Sequence, residues 1–243
     1  MQTNVFLLPE LINSASIGGS CCVIIDVLRA TTTIVTALAN GARSIIPCLS
    51  IEQATEIATQ QQVLLGGERN CVKPETFDLG NSPTEYSSDV VKDTDIAFTT
   101  TNGTKAMLAC AMADKLLLAA FSNLSAITSI TAQESTLNII CSGTNGEITL
   151  EDVLLAGAIV HSRTEQPLAG VNDQATLALN AWKEIIASDI PATFLLDKMK
   201  ESRGGRNLMQ VDKVADIQFA ANIDTTSMIP TLNPTSLIIT ALS

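Results

Sequence analysis

The sequence predicts an α/β sandwich, and two observations carry that prediction. Three segments share one order: a short apolar run, a turn rich in Thr, Asn, Gly or Ser, then apolar residues at helical spacing. The 243-residue chain is also 46% apolar and only 16% charged, enough to bury a sizeable core and too apolar to stay disordered. Repeated strand–loop–helix units of this kind build a sheet covered by helices. The length suits one large α/β domain, with two closely packed halves meeting near residue 125 as the alternative.

The first unit runs from a strand at Cys21–Ile25, through a loop over 26–33, into a helix reaching about Asn40, where Gly41 supplies a stop. A strand at Arg43–Pro47 follows directly. An apolar strand at Gln62–Leu65 then leads into residues 66–86, which are rich in Gly, Pro and Asn. A long irregular loop inside a domain usually has a function. The second unit is a strand at Asp95–Thr99, the turn 100–104, and an Ala/Met/Leu helix to about Ala113, with a strand at Lys115–Ala119 behind it. The third is a strand at Leu137–Cys141, a loop over 142–149 and a helix from Leu150 to about Arg163. Residues 173–187 read as a helix around Trp182 and 193–201 as another, and the tail offers a helix within 216–229 and a last strand within 236–242.

Charge excludes some partners. With 14 basic against 25 acidic residues the net charge is −11, and no basic run or aromatic platform occurs, so neither nucleic acid nor an anionic membrane is an expected partner. The longest apolar stretches, such as Val153 to Val160, fall far short of the roughly 20 residues of a spanning helix. No Lys or Arg precedes Arg29, so a secretory leader is not expected and the cytoplasm is the expected location. The 6 cysteines lack CxxC spacing and read as reduced, buried small hydrophobes. The high apolar content is compatible with a homo-oligomer.

The candidate chemistry sits in the turns. Asp26 follows the first strand and precedes Arg29 and the hydroxyl run Thr31-Thr32-Thr33. Ligands of open α/β sheets gather beyond the carboxyl ends of strands. There a carboxylate can hold Mg²⁺, an arginine fork matches phosphate oxygens, and a helix start offers free N–H groups. The plainer alternative has Asp26 capping the helix while Arg29 pairs with it at the surface. An aspartyl-phosphate signature of the haloacid dehalogenase type fails, because Leu28 stands where its second Asp would fall.

Thr101, Asn102 and Gly103, in the turn ending at Lys105, could cradle phosphate, but this is no Walker loop, and an ordinary Asn-Gly turn explains it as well. Ser142 and Gly143 open the third loop, and Glu151 and Asp152 begin its helix, where acidic residues either ligate a hard cation or simply complement the helix dipole. A cysteine phosphatase would need Arg near Glu147, so Cys141 is not expected to be a nucleophile. Glu68, Arg69 and Asn81 lie on the long loop, as catalytic residues often do, or form a solvated turn. Arg203 and Arg206, within Ser202–Asn207, form an anion clamp or a charged loop tip. His161 is the only histidine, so a His-rich zinc site is excluded and carboxylate-bound Mg²⁺ is the metal most consistent with the sequence.

Together the blocks IDVLRATTTIVTALANGA from Ile25, LLGGERN from Leu64, FDLGNSPTEY from Phe77, TTTNGT from Thr99, CSGTNGEITLEDVLLAG from Cys141 and SRGGRNL from Ser202 resemble the 2-phosphosulfolactate phosphatase family. Thr76 departs from the pattern, standing where the family is expected to have Gly. The resemblance implies a Mg²⁺-dependent phosphate-ester hydrolase serving coenzyme M biosynthesis, with a small substrate bearing sulfonate and carboxylate beside its phosphate. The fold expected is a three-layer α/β/α sandwich with a mixed, partly parallel sheet. The expected catalytic residues are Asp26, Arg29, Glu68 and Asp152, with metal ligands among Asp26, Glu68, Glu151 and Asp152. Substrate contacts are expected from Thr31, Thr32, Arg69, Asn81, Thr101, Asn102, Gly103, Ser142, Gly143, Arg203 and Arg206. A phosphatase for another small 2-phospho acid, or a non-catalytic binder of such metabolites, remains the alternative.

Overall fold

Nine strands pair into one sheet in a computed structural model that describes residues 1–12, 14–163 and 170–242. They are β1 Gln2–Phe6, β2 Cys21–Ile25, β3 Ser44–Cys48, β4 Leu64–Gly67, β5 Asp95–Thr99, β6 Lys115–Ala119, β7 Thr136–Cys141, β8 Pro230–Leu232 and β9 Ile239–Ala241. The order across the sheet is β1-β7-β2-β6-β8-β9-β3-β5-β4. β1, β7, β2 and β6 form one parallel block and β3, β5 and β4 another. The antiparallel pair β8–β9, made by the end of the chain, joins the two blocks. The sheet is therefore mixed and mostly parallel.

The helices are α1 Ala30–Ala39, α2 Ile51–Gln61, α3 Ser88–Val91, α4 Gly103–Ala109, α5 Leu124–Thr131, α6 Leu150–Ser162, α7 Asp173–Ile186, α8 Pro191–Glu201, α9 Arg203–Gln210 and α10 Val214–Ala220. Alternation along the strands distributes them. Cys21, Val23 and Ile25 of β2 join a core with residues of α6, α7, α8, α9 and α10, whereas Cys22 and Ile24 join a core with α1, α3 and α4 on the other face. α2 covers the β3–β5–β4 block through Ala54, packed with Cys48, Ala97 and Phe77. Helices on both faces of a central sheet make the three layers.

β2, β5 and β6 fall where their apolar runs predict, because each is a buried strand bounded by polar turns. β4 begins at Leu64 rather than Gln62, since Gln62 closes α2 in the left-handed conformation at φ 55°. α4 stops at Ala109, short of the expected Ala113. Ser202–Asn207 is not a loop tip. Ser202 caps α9, its hydroxyl accepting the Gly205 N–H at 3.0 Å. The cysteines are all free thiols, and only Cys71 is not buried. Among the described residues no helix is long and apolar enough to cross a membrane.

Candidate active site

A cleft of about 240 Å³ opens where four strands end. Asp26 follows β2, Glu68 follows β4, Thr100 and Thr101 follow β5, and Thr144 and Asn145 come from the loop after β7. The long loop after β4 adds Asn70, Cys71 and Asn81, and α9 closes the wall with Gly204, Asn207 and Gln210. The volume lies below the 300–1,000 Å³ typical of pockets for drug-sized ligands, which suits a small metabolite.

Asp26 is the hub. Its Oδ1 accepts the Ala30 N–H at 3.2 Å and its carbonyl accepts the Thr31 N–H at 2.9 Å, so it does cap α1 as well as face the cleft. Burial pushes its carboxyl up to about 7; the charges of Glu68 and Glu151 add to the shift, and the Ala30 N–H and Arg29 oppose it. A Cβ on Gly103 would lie 2.9 Å from Asp26 Oδ2, so only glycine lets the β5–α4 turn approach this carboxylate.

Glu68 is pinned at both oxygens. Oε1 accepts the Thr101 N–H at 2.9 Å and its hydroxyl at 3.0 Å, and Oε2 accepts the Cys71 N–H at 2.7 Å. Arg29 is buried, and it pairs with Asp216 rather than with Asp26 at the surface: Nη1 donates to Asp216 Oδ2 at 2.6 Å and Nη2 to the Cys71 carbonyl at 3.0 Å. Asn102 Oδ1 accepts the Asn145 N–H, tying the second and third loops together across the mouth. Asn81 Oδ1 and Thr100 Oγ1 are buried in the wall with no hydrogen-bond partner.

Several expected site residues lie elsewhere. The Thr31 and Thr32 hydroxyls turn back onto the Asp26 and Val27 carbonyls, satisfying buried polar groups within the chain. Arg69 reaches Thr99 Oγ1 and the carbonyls of Leu49 and Glu68, so it buttresses β5 instead of lining the cleft. Asp152 is a scaffold outside the cleft lining: its two oxygens accept the Val27 and Gly143 N–H groups at 2.9 and 3.0 Å. Burial, with Glu151 and Asp26 adding to it, holds its carboxyl well above the usual range. Gly143 is spent on that bond, and the Ser142 N–H on the Ile25 carbonyl.

Glu151 is buried behind Gly204, outside the cleft lining, with its pKa raised by burial and its Oε2 unpartnered. Arg203 pairs with Glu147, and Arg206 donates to the Glu201 carbonyl; both line an adjoining surface hollow that shares Asn207 and Gln210 with the cleft. Burial also raises the Cys141 thiol, the reverse of what a nucleophile needs. Asn70, Cys71, Asn207 and Gln210 belong to the cleft without having been singled out from the sequence; the first two adjoin Glu68 and Arg69, and Asn207 closes the Ser202–Asn207 block.

The donors fit a hard divalent cation in one restricted form. Among the described residues no group of three His, Cys, Asp or Glu side chains is gathered closely enough to hold a metal alone. Mg²⁺ commonly takes one or two carboxylates and completes its shell with water and phosphate oxygens. Asp26 and Glu68, beside the orphaned oxygens of Asn81 and Thr100, match that pattern.

Comparison with known proteins points to one family. A profile described as 2-phosphosulpholactate phosphatase matches residues 6–235. A protein of Pseudothermotoga lettingae named probable 2-phosphosulfolactate phosphatase is 38% identical over 227 residues, covering 93% of this chain and 94% of its own. One of the same name from Symbiobacterium thermophilum is 38% identical, covering 88% and 91%. Another, from Thermotoga maritima, is 49% identical over 57% of this chain and 60% of its own.

Proposed function

The chain belongs to the 2-phosphosulfolactate phosphatase family and is a phosphoric monoester hydrolase, and with that as the premise we propose that this cleft hydrolyses 2-phosphosulfolactate to sulfolactate and orthophosphate. One observation carries the reading: Asp26 and Arg29, from the turn after β2, and Glu68, from the turn after β4, meet in one small cleft. Asp26 and Glu68 would hold Mg²⁺. When bound, that ion neutralises phosphoryl oxygens and offsets the charge of the carboxylates themselves.

The chain's own groups do the rest. The Arg29 N–H groups not committed to Asp216 and Cys71 bind phosphoryl oxygens, and Asn81 and Thr100 orient the remainder of the substrate. Water attacks phosphorus in line; a new P–O bond forms, the ester P–O bond breaks, and the released 2-oxyanion is protonated. The attacking water's proton goes on to the released 2-oxyanion, so the step consumes no further acid or base. A cytoplasmic location, a homo-oligomeric state and a step in coenzyme M biosynthesis go with this reading.

The test is orthophosphate release from 2-phosphosulfolactate and a panel of other 2-phospho acids, with and without Mg²⁺. Cleavage of 2-phosphosulfolactate that requires Mg²⁺ and fails in Asp26→Asn and Arg29→Ala supports it. Full activity in both variants, or ligand-induced stabilisation without turnover as in a binding protein, refutes it.

A further inference from the structure

Asp216 lies outside the cleft lining, on α10, 187 residues from Arg29 in sequence, and is 2% exposed. Its two oxygens have two partners. Oδ2 accepts Arg29 Nη1 and Oδ1 accepts the Ser82 hydroxyl, each at 2.6 Å. Ser82 Oγ in turn lies 2.9 Å from Thr84 Oγ1, so with Ser82 donating to the carboxylate, Thr84 donates to Ser82. On its other side Arg29 donates to the Cys71 carbonyl, while the Cys71 N–H holds Glu68. One run of hydrogen bonds therefore links α10, the 82–84 turn and the start of α1 to both cleft residues, Arg29 and Glu68.

A guanidinium is planar and rigid, so pinning it through two nitrogens fixes where its other N–H groups point. A buried ion pair is a poor device for stability alone, because well-packed apolar residues commonly serve as well. Its value here is direction, since Arg29 is the one arginine in the cleft lining and Asp216 sets its plane against the wall.

We propose that Asp216, braced by Ser82, is a positioning residue that aims the Arg29 guanidinium at the phosphoryl group. This rests on the phosphatase reading above and extends it to a residue that touches no substrate. The experiment measures kcat and KM with Mg²⁺, orthophosphate affinity by calorimetry and the unfolding midpoint. The variants are Asp216→Asn and Ser82→Ala, alone and each combined with Arg29→Lys, which keeps the charge but removes the fork.

A mis-aimed catalytic group costs on the order of 100-fold per ångström. Asp216→Asn should therefore lower kcat/KM by at least about tenfold, with Ser82→Ala intermediate, the loss falling mainly on kcat, and both should weaken orthophosphate binding. In the Arg29→Lys background each should add less than about threefold, because the group being aimed is gone. Should Asp216→Asn fail to fold, Ser82→Ala carries the test, since it removes no charge. The inference is overturned if Ser82→Ala stays within about twofold of wild type in both readouts, or if its effect is undiminished by Arg29→Lys. A wild-type protein that cleaves no phosphoester, yet binds orthophosphate in a Ser82- and Asp216-dependent way, would remove the phosphatase reading and retain this one.

Discussion

Asp26→Asn should make the protein more stable and inactive at once. In the folded chain burial pushes the carboxyl from its ordinary 3.8 up to about 7. That difference corresponds to about 4 kcal/mol. The sign follows from proton counting. Between pH 4 and 7 the folded state keeps a proton that the unfolded state has released, so this group's stabilisation is complete below about pH 4 and is lost as pH rises through about 7. Asparagine keeps the shape, can still accept the Ala30 N–H, and has no charge to desolvate. Urea unfolding of both proteins in chelator at pH 4 to 8 reads the difference. It should be near zero at pH 4 and grow to about 4 kcal/mol in favour of the variant at pH 8, a midpoint gain on the order of 1–2 M. Phosphatase activity should fall by at least about 100-fold. A variant less stable than wild type at pH 8, or a difference that shrinks as pH rises, would refute the claim that Asp26 is a strained, buried acid.

Three further outcomes follow from the same geometry. Mg²⁺ should raise the thermal midpoint of wild type more at pH 8 than at pH 6, because above about 7 Asp26 no longer holds a proton for the cation to displace, and should leave Asp26→Asn nearly unmoved; scanning fluorimetry checks both. Arg29→Ala should lower kcat/KM by about 100-fold or more, while Arg203→Ala, whose side chain pairs with Glu147 in the neighbouring hollow, should change it by less than about threefold. Gly204→Ala drives a Cβ into the Glu151 carboxylate and should cost about 1–3 kcal/mol in thermal or urea unfolding.

What the sequence showed depended on whether a signal was local. β2, β5 and β6 are apolar runs between polar turns, and the turns after them hold Asp26, Thr100 and Thr101 where the sheet rule puts ligands. β1 was missed because its buried positions include Thr3 and Asn4, which break the apolar pattern; the strand is satisfied instead by the Asn4 amide donating to Asn138 Oδ1 at 2.9 Å. α2 was missed because only Ala54 of its 11 residues is fully buried. Arg203 looked like a clamp because Ser202–Asn207 reads as a glycine loop, yet those glycines let α9 pack against Glu151 and the Met199 carbonyl. Asp216 left no trace, since a partner 187 residues away imprints nothing on its own neighbourhood.

These placements leave a cleft whose side chains do not by themselves attract its ligand. One arginine faces two carboxylates, that arginine is already paired with Asp216, and the whole chain carries −11. A substrate with phosphate, sulfonate and carboxylate brings about four more negative charges. Attraction must therefore come with a cation, or with protons on the carboxylates, and Asp26 is where the two alternatives meet. Burial keeps it protonated below about 7, and a divalent ion would take the place of that proton above it. The buried position of Asp26 is thus costly in the empty protein and useful in the loaded one, because a carboxylate that is unstable alone gains more from a cation than a solvated one would. Arg203 and Arg206, the arginines that would have balanced the sum, are engaged by Glu147 and the Glu201 carbonyl in the adjoining hollow, so on the proposed reading charge at the reacting phosphate would be left to Arg29 and a cation between Asp26 and Glu68.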